Sequence, residues 1–463
     1  VAANDLWSCG RGSRAPAGIA ESIVIGMAGR LNDPTPHAPI DRLKRHLEHF
    51  THIEASSGVV LLVCTLVALG LANSPAADGF LAFWKTKVGF EFGDFAMRHS
   101  LQHWINDALM AVFFFVIGLE VKRELVLGEL RDPRRAALPI AAAIGGMVVP
   151  ALIYLLLMGD QPGKQGWGIP MATDIAFVVG CMAVLGKRIP STLRVLLLTL
   201  AIADDIGAIL VIAVGYTDHL NLGMLAGGGV GIALEALLAR LGVRSFGVYT
   251  AVGALIWFCF HESGVHATIA GVILGLQTPA RSYLDKTTVG RFLTSIDEAP
   301  EDLAQPTPGE VQTVMRVARE AISPLDYLMH ALHAWVAFVI MPVFALANAG
   351  VRLDTASLTH PLAIAVALGL LLGKPIGIVA VSFLAVKLRL TSLPAGVSWM
   401  VLAAAGFLAG IGFTMAIFIA GLALKGDLLD TAKVGILVGS ALAAGIGMLL
   451  LIKLLPAPAA SEG

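Results

Sequence analysis

The sequence predicts an all-α integral membrane protein of about twelve transmembrane helices, and three observations carry that prediction. Hydrophobic residues make up 57% of the chain and charged residues 14%, against roughly 25% charged in soluble globular domains. Apolar runs long enough to cross a bilayer core, which takes about 20 residues as a helix, recur from Ser57 to Leu455. The short alternating strands of a membrane barrel do not occur, so the spans are read as helices, which satisfy their own backbone groups inside lipid.

Reading the runs between charged or Gly/Pro-rich breaks places the segments at 57 to 73, 101 to 120, 136 to 158, 167 to 186, 192 to 216, 221 to 240, 245 to 260, 264 to 278, 327 to 350, 360 to 386, 396 to 424 and 430 to 454. Residues 1–55 read as a polar cytoplasmic tail, with "NDPTPHAP" lacking structure and "DRLKRHLEHF" a surface helix. Residues 56–455 then form the membrane domain and 456–463 a cytoplasmic C-terminal tail.

Orientation follows from the loops, because Lys and Arg are retained on the cytoplasmic side. The loop after the second segment carries Lys122, Arg123, Arg131, Arg134 and Arg135, and alternate later loops carry Lys187, Arg188 and Arg194, then Arg240 and Arg244, then Arg281, Lys286, Arg291, Arg316 and Arg319. The intervening connections are poor in them beyond the first, which has Lys85, Lys87 and Arg98: Lys164, none in "TDHLN" or "HESG", Arg352 and Lys425. Both termini are therefore expected in the cytoplasm. That first connection, 74–100, is an external loop whose "FWKTKVGFEFGDF" alternates like a short hairpin. Residues 279–326 form a long, charged cytoplasmic loop. The 32 Lys plus Arg against 33 Asp plus Glu give no nucleic-acid surface. Cys64, Cys181 and Cys259 lie inside apolar spans and Cys9 in the tail, so no disulfide framework is expected.

Charges inside the spans carry the chemistry, since each costs about 2.5–3.5 kcal/mol on insertion scales. Asp204 and Asp205 sit near the middle of "LAIADDIGAILVIAVGY". Adjacent helix positions point about 100° apart, so one aspartate is expected to face a water-filled cavity and the other to find a cation. Lys374 in "LGLLLGKPIGIVAV" is too deep to reach the interface easily, and pairing with Asp204 or Asp205 is the preferred reading. Thr173 and Asp174 lie in "GIPMATDIAFVVG", where Gly168, Pro170 and Gly180 interrupt the helix. In the eleventh segment Gly406, Gly410 and Gly412 precede Thr414, permitting a second unwound stretch. Segments four and eleven are central to the triplets three to five and ten to twelve, the arrangement of a transporter site between inverted repeats.

Other ionisable residues leave two readings open. Glu120 in "FFFVIGLEVKREL" is either an ion-attracting entrance or part of an interfacial cluster with Lys122 and Arg123, and Asp107 in "WINDALM" is equally ambiguous beside Asn106. "FHESGVHATIAG" misses the zinc-protease motif, because His261 and His266 are five apart where the helical pair needs four; His266 is read as packed or hydrogen-bonded. His330 and His333, at the start of the ninth segment, either titrate near neutral pH or hydrogen-bond at the interface.

Taken together, "WINDALMAVFF", "GLEVKREL", "AAIGGMVVPALIY", "GIPMATDIAF", "LAIADDIGAI", "SGVHATIAGVILG", "FALANAGV", "GKPIGI" and "GIGFTMAIFIA" resemble the NhaA family of sodium/proton antiporters over residues 50 to 455. The resemblance implies that Asp205 is the central carboxylate binding sodium or a proton, with Asp204 beside it as the partner of Lys374. It implies that Thr173 and Asp174 lie where two broken helices cross, Asp174 offsetting positive helix ends and Lys374 negative ones. Glu120 and Glu124 would belong to a cytoplasmic funnel and pH-sensing region, to which His330 and His333 are also assigned. It further implies a bacterial inner-membrane homodimer joined through residues 81–95, transporting Na+, Li+ and H+ without a cofactor. One departure bears on pH activation: the family's basic-basic-Leu-Glu-His run reads Asp326, Tyr327, Leu328, Met329, His330 here, with Met329 in place of the glutamate.

A carboxylate that holds either sodium or a proton makes exchange automatic if it is reached alternately from each side. A free aspartate, with a pKa of about 3.9, holds protons too weakly for that at neutral pH, so burial and the adjacent acid are expected to strengthen proton binding at Asp205. If two protons exchange for one sodium, as in the family, the membrane potential contributes about 2.3 kcal/mol per 100 mV. Two other readings compete. A sodium-coupled organic-solute symporter suits twelve spans, but the central segments offer no aromatic or Arg cluster to hold a solute. An intramembrane aspartic protease using Asp174 and Asp205 conflicts with a neighbouring Lys374, which favours charge on acids that must share a proton.

Overall fold

A computed structural model describes residues 54–92, 95–216, 220–243, 245–282, 284, 288 and 308–456. The tails read at 1–55 and 456–463 fall almost wholly outside them, as does much of the loop at 279–326.

Among the described residues, eight helices are long and apolar enough to cross a membrane: Leu101–Val126, Pro133–Met158, Lys164–Leu185, Ser191–Gly215, Leu222–Arg240, Pro324–Asn348, Pro361–Lys387 and Asp427–Leu454. Two bent pairs pass the same test, Ser56–Ala72 with Ala77–Lys85 at 114° and Trp399–Ala409 with Phe413–Ala423 at 52°. Phe246–Ser263 and the ten-residue Thr268–Gln277 occupy the seventh and eighth places of the sequence reading. The eighth is shorter than expected, spanning about 15 Å at 1.5 Å per residue. The chain is an all-helical, multi-pass membrane protein.

Local chemistry sets the helix ends. Asp132 caps the third segment by accepting from the Arg134 N–H at 3.0 Å, with Pro133 in the first turn where its missing N–H costs nothing. Asn221 caps the sixth through the Gly223 and Met224 N–H groups at 3.1 and 3.3 Å. The seventh ends at Gly264, whose φ of +82° a side chain would resist. Leu156 and Val214 are 81% and 86% exposed, a placement that fits a lipid-facing perimeter.

Within the bundle small residues let backbones meet. A Cβ on Gly377 would press into the Gly145 carbonyl oxygen, and one on Gly145 into that of Gly377, which locks the tenth segment against the third. Gly373 lies against Pro150, where an added Cβ would come within 2.7 Å of the proline Cα. A π-type turn, Gly369–Gly373, directly precedes Lys374; one extra residue in a turn re-aims the side chains beyond it.

The connection between the first and second segments differs from the sequence reading. Residues Ala77–Lys85 are helical, with Asp78 in the first turn and Lys85 in the last, as the helix dipole favours. The hairpin comes next as antiparallel strands Lys87–Phe92 and Phe95–Ser100, with Val88 opposite His99, and Trp104 Nε1 donates to the Val88 carbonyl at 2.9 Å. In the segment 279–326, Pro308–Ala321 is a helix rather than loop.

Candidate functional site

Two interrupted helices cross at the centre. Lys164–Met171 is a tight 3-10 stretch, Ala172 is extended, and the α-helix Ile175–Leu185 starts after Asp174. Pro170 has no N–H to continue the first piece. The eleventh segment breaks between Ala409 and Phe413. A Cβ on Gly412 would stand 3.1 Å from the Ala172 carbonyl oxygen, so glycine there lets the breaks touch. They are tied by Asp174 N donating to the Ile411 carbonyl at 2.7 Å and Thr173 Oγ1 donating to the Ala409 carbonyl at 2.8 Å.

Breaking a helix in the bundle interior leaves orphan N–H and C=O groups, and side chains answer them. Asp174 accepts from the Phe177 N–H at 3.3 Å on its own helix and from the Thr414 N–H at 3.0 Å and Thr414 Oγ1 on the other. One buried carboxylate thus caps two positive helix ends. Thr173, through Ala409, serves the negative end of Trp399–Ala409.

Lys374 completes the constellation. Its Nζ donates to Asp204 Oδ2 at 2.5 Å and to Thr173 Oγ1 at 2.9 Å, and its side chain is sealed from solvent. The fifth segment, Ser191–Gly215, carries Asp204 and Asp205 on one uninterrupted helix. Asp204 is 1% exposed and its Oδ1 is buried with no hydrogen-bond partner among the described residues. Asp205 is 5% exposed; it is withdrawn from water, and the Asp204, Glu120 and Asp174 carboxylates and Lys374 act on it by charge.

The structure therefore brings together Thr173, Asp174, Asp204, Asp205 and Lys374. Glu120 is half-buried and close enough to act on Asp205. Glu124, one turn further along, has its Oε1 engaged by the Glu129 N–H at 2.8 Å and Thr199 Oγ1 at 3.3 Å. His330 and His333 are exposed on the ninth segment. Asp326, which opens the departing run, sits under its cap Ser323 and faces Arg123 at 3.8 Å. Sequence reasoning missed Thr414 as the second donor to Asp174; its place two residues after Gly412 was the available signal. His266 Nε2 hydrogen-bonds the Tyr216 backbone oxygen at 2.8 Å. Asn106 and Asn348 bond each other reciprocally, Nδ2 to Oδ1, at 3.1 and 2.7 Å.

The family model described as Na+/H+ antiporter 1 matches residues 48–451. The sequence is 56% identical to the Na(+)/H(+) antiporter NhaA of Rhodopirellula baltica over 433 residues, covering 92% of this chain and 98% of that one. It is 52% identical to NhaA of Rhizobium meliloti over 425 residues, 90% of this chain and 97% of the relative. NhaA 2 of Acidiphilium cryptum is 48% identical over 425 residues, 91% and 94% of the two chains.

Proposed function

The chain belongs to the NhaA family of Na+/H+ antiporters, and from that premise we propose that Na+ and H+ compete for the Asp205 carboxylate, with the free oxygen of Asp204 as a second ligand to the ion. The protein is a transporter that exchanges Na+ for H+, not an enzyme, and needs no cofactor.

The reading rests on one observation: Asp205 is buried beside carboxylates that act on it by charge, while Asp204 next to it keeps one oxygen unpartnered among the described residues. A carboxylate withdrawn from water stays ionised only where a cation compensates it, and otherwise takes a proton. Sodium at Asp205 therefore excludes the proton, and protonation releases sodium. Asp204 is held by Lys374 through Oδ2, so it offers the ion Oδ1 without surrendering its own charge partner. Asp174 and Thr173, whose polar atoms are engaged by the crossing helices, act by charge and position. Access alternates as the two interrupted helices shift against the remainder.

Two protons per sodium would move one net charge inward per cycle, letting a membrane potential drive sodium out at about 2.3 kcal/mol per 100 mV. Lithium, with the same charge, is the second cargo. The Lys/Arg-rich loops support cytoplasmic termini in a bacterial plasma membrane, with Glu120 and Glu124 at the cytoplasmic entrance. Residues 81–95, from the end of the helix Ala77–Lys85 into the hairpin, are the proposed contact of a homodimer. Replacement of the usual glutamate by Met329 shifts the pH profile from that of family members carrying the full run.

Sodium added to purified protein in proteoliposomes with an acid interior is expected to drive proton efflux, reversed in sign by reversing the gradient. Sodium-dependent uptake of an organic solute without proton movement would support the symporter instead.

A further inference from the structure

We propose that His99, His103 and His261 form a binding site for a divalent transition-metal cation of the zinc class, remote from the crossing helices and independent of the antiport reading. The three imidazoles come from three elements: the strand Phe95–Ser100, the start of the second segment, and the end of the seventh. Ser100 fixes the relation of the first two by accepting the His103 N–H at 3.1 Å, which starts the helix one turn after His99.

The ring centroids lie 4.3 Å apart for His99 and His103, 5.4 Å for His99 and His261, and 5.7 Å for His103 and His261. One nitrogen from each ring lies within 4.8 Å of the other two. Tetrahedral zinc with Zn–N bonds of about 2.0–2.1 Å sets its nitrogens about 3.4 Å apart, a closure that ring rotations supply.

Two further observations distinguish a ligand set from aromatic packing. His261 Nδ1 is paired with Asp107 Oδ2 at 2.8 Å, the carboxylate–histidine arrangement that fixes the tautomer and turns the other nitrogen toward a metal. His103 Nε2 is buried with no hydrogen-bond partner, a state a buried nitrogen rarely keeps. The charges acting on His261 are acidic, Asp107 and Glu262, and Glu262 Oε1 lies 3.9 Å from His261 Nε2, near enough to serve as a fourth ligand. Trp257 stacks on His261 at 5.6 Å and walls one side. Imidazole nitrogens with one carboxylate select zinc, nickel or copper over magnesium and calcium, which take oxygen.

The full-length protein, purified without a histidine tag and stripped with a chelator, is titrated with Zn2+ by calorimetry and with Co2+ by visible absorption. One equivalent of zinc and the intense absorption of tetrahedral cobalt are expected. His103→Ala and His261→Ala are expected to abolish both, and Asp107→Asn to weaken zinc binding by about 10–100-fold, while each variant keeps sodium-dependent proton exchange in chelator as proof of folding. Zinc binding unchanged in His103→Ala and His261→Ala, or no stoichiometric binding by wild-type protein that exchanges ions normally, overturns the assignment.

Discussion

Lys374 Nζ and Asp204 Oδ2 lie 2.5 Å apart with their side chains 0% and 1% exposed, one residue from a second carboxylate, Asp205, that forms no ion pair among the described residues. The pair separates the two adjacent acids: one is compensated by a lysine and the other is not.

Removing one partner of a buried ion pair costs more than removing both, because a lone charge is left out of water. Lys374→Ala is expected to lower stability by about 3–5 kcal/mol, with much of the loss restored in the double variant Lys374→Ala with Asp204→Asn. Thermal melts in detergent check it; equal melts for the single and double variants would mean the pair is not coupled.

Asp174 places one negative charge at two facing helix N-termini. Asp174→Asn keeps an acceptor oxygen but loses the charge, and is expected to destabilise by about 1–2 kcal/mol and to slow exchange. A variant with the wild-type melting temperature and rate would assign those ends to other groups.

Close helix contact predicts a contrast between glycines. At Gly377 an added methyl meets the Gly145 carbonyl oxygen, and Gly377→Ala is expected to cost about 1–3 kcal/mol. At Gly445, in Asp427–Leu454, nothing lies within 4 Å, and Gly445→Ala is expected to be neutral or to stabilise by about 0.5–1 kcal/mol. The melting temperatures of the two variants give the comparison.

Apolar composition was enough to read the spans, because lipid leaves a helix no alternative partner for its backbone. The breaks were legible as Gly168, Pro170, Gly410 and Gly412, but not their contact, which joins Asp174 to Ile411 across more than half the chain. Lys374 demanded an acid on burial grounds alone; residue types left Asp204 and Asp205 open, and only the family resemblance pointed to Asp204, because helix packing makes that choice. Asp107 stayed ambiguous because His261, its partner, lies 154 positions away. The end of the helix Ala77–Lys85 was read as part of a hairpin because Phe83 and Trp84 also suit a strand.

Competition at Asp205 is tested most directly by counting protons released when sodium is added to weakly buffered, detergent-solubilised protein. Wild-type protein is expected to release protons in proportion to sodium bound, whereas Asp205→Asn, with its Lys374–Asp204 pair intact, is expected to bind no sodium and release none. Sodium-induced proton release by Asp205→Asn at the wild-type amplitude would contradict the assignment of the exchanging carboxylate.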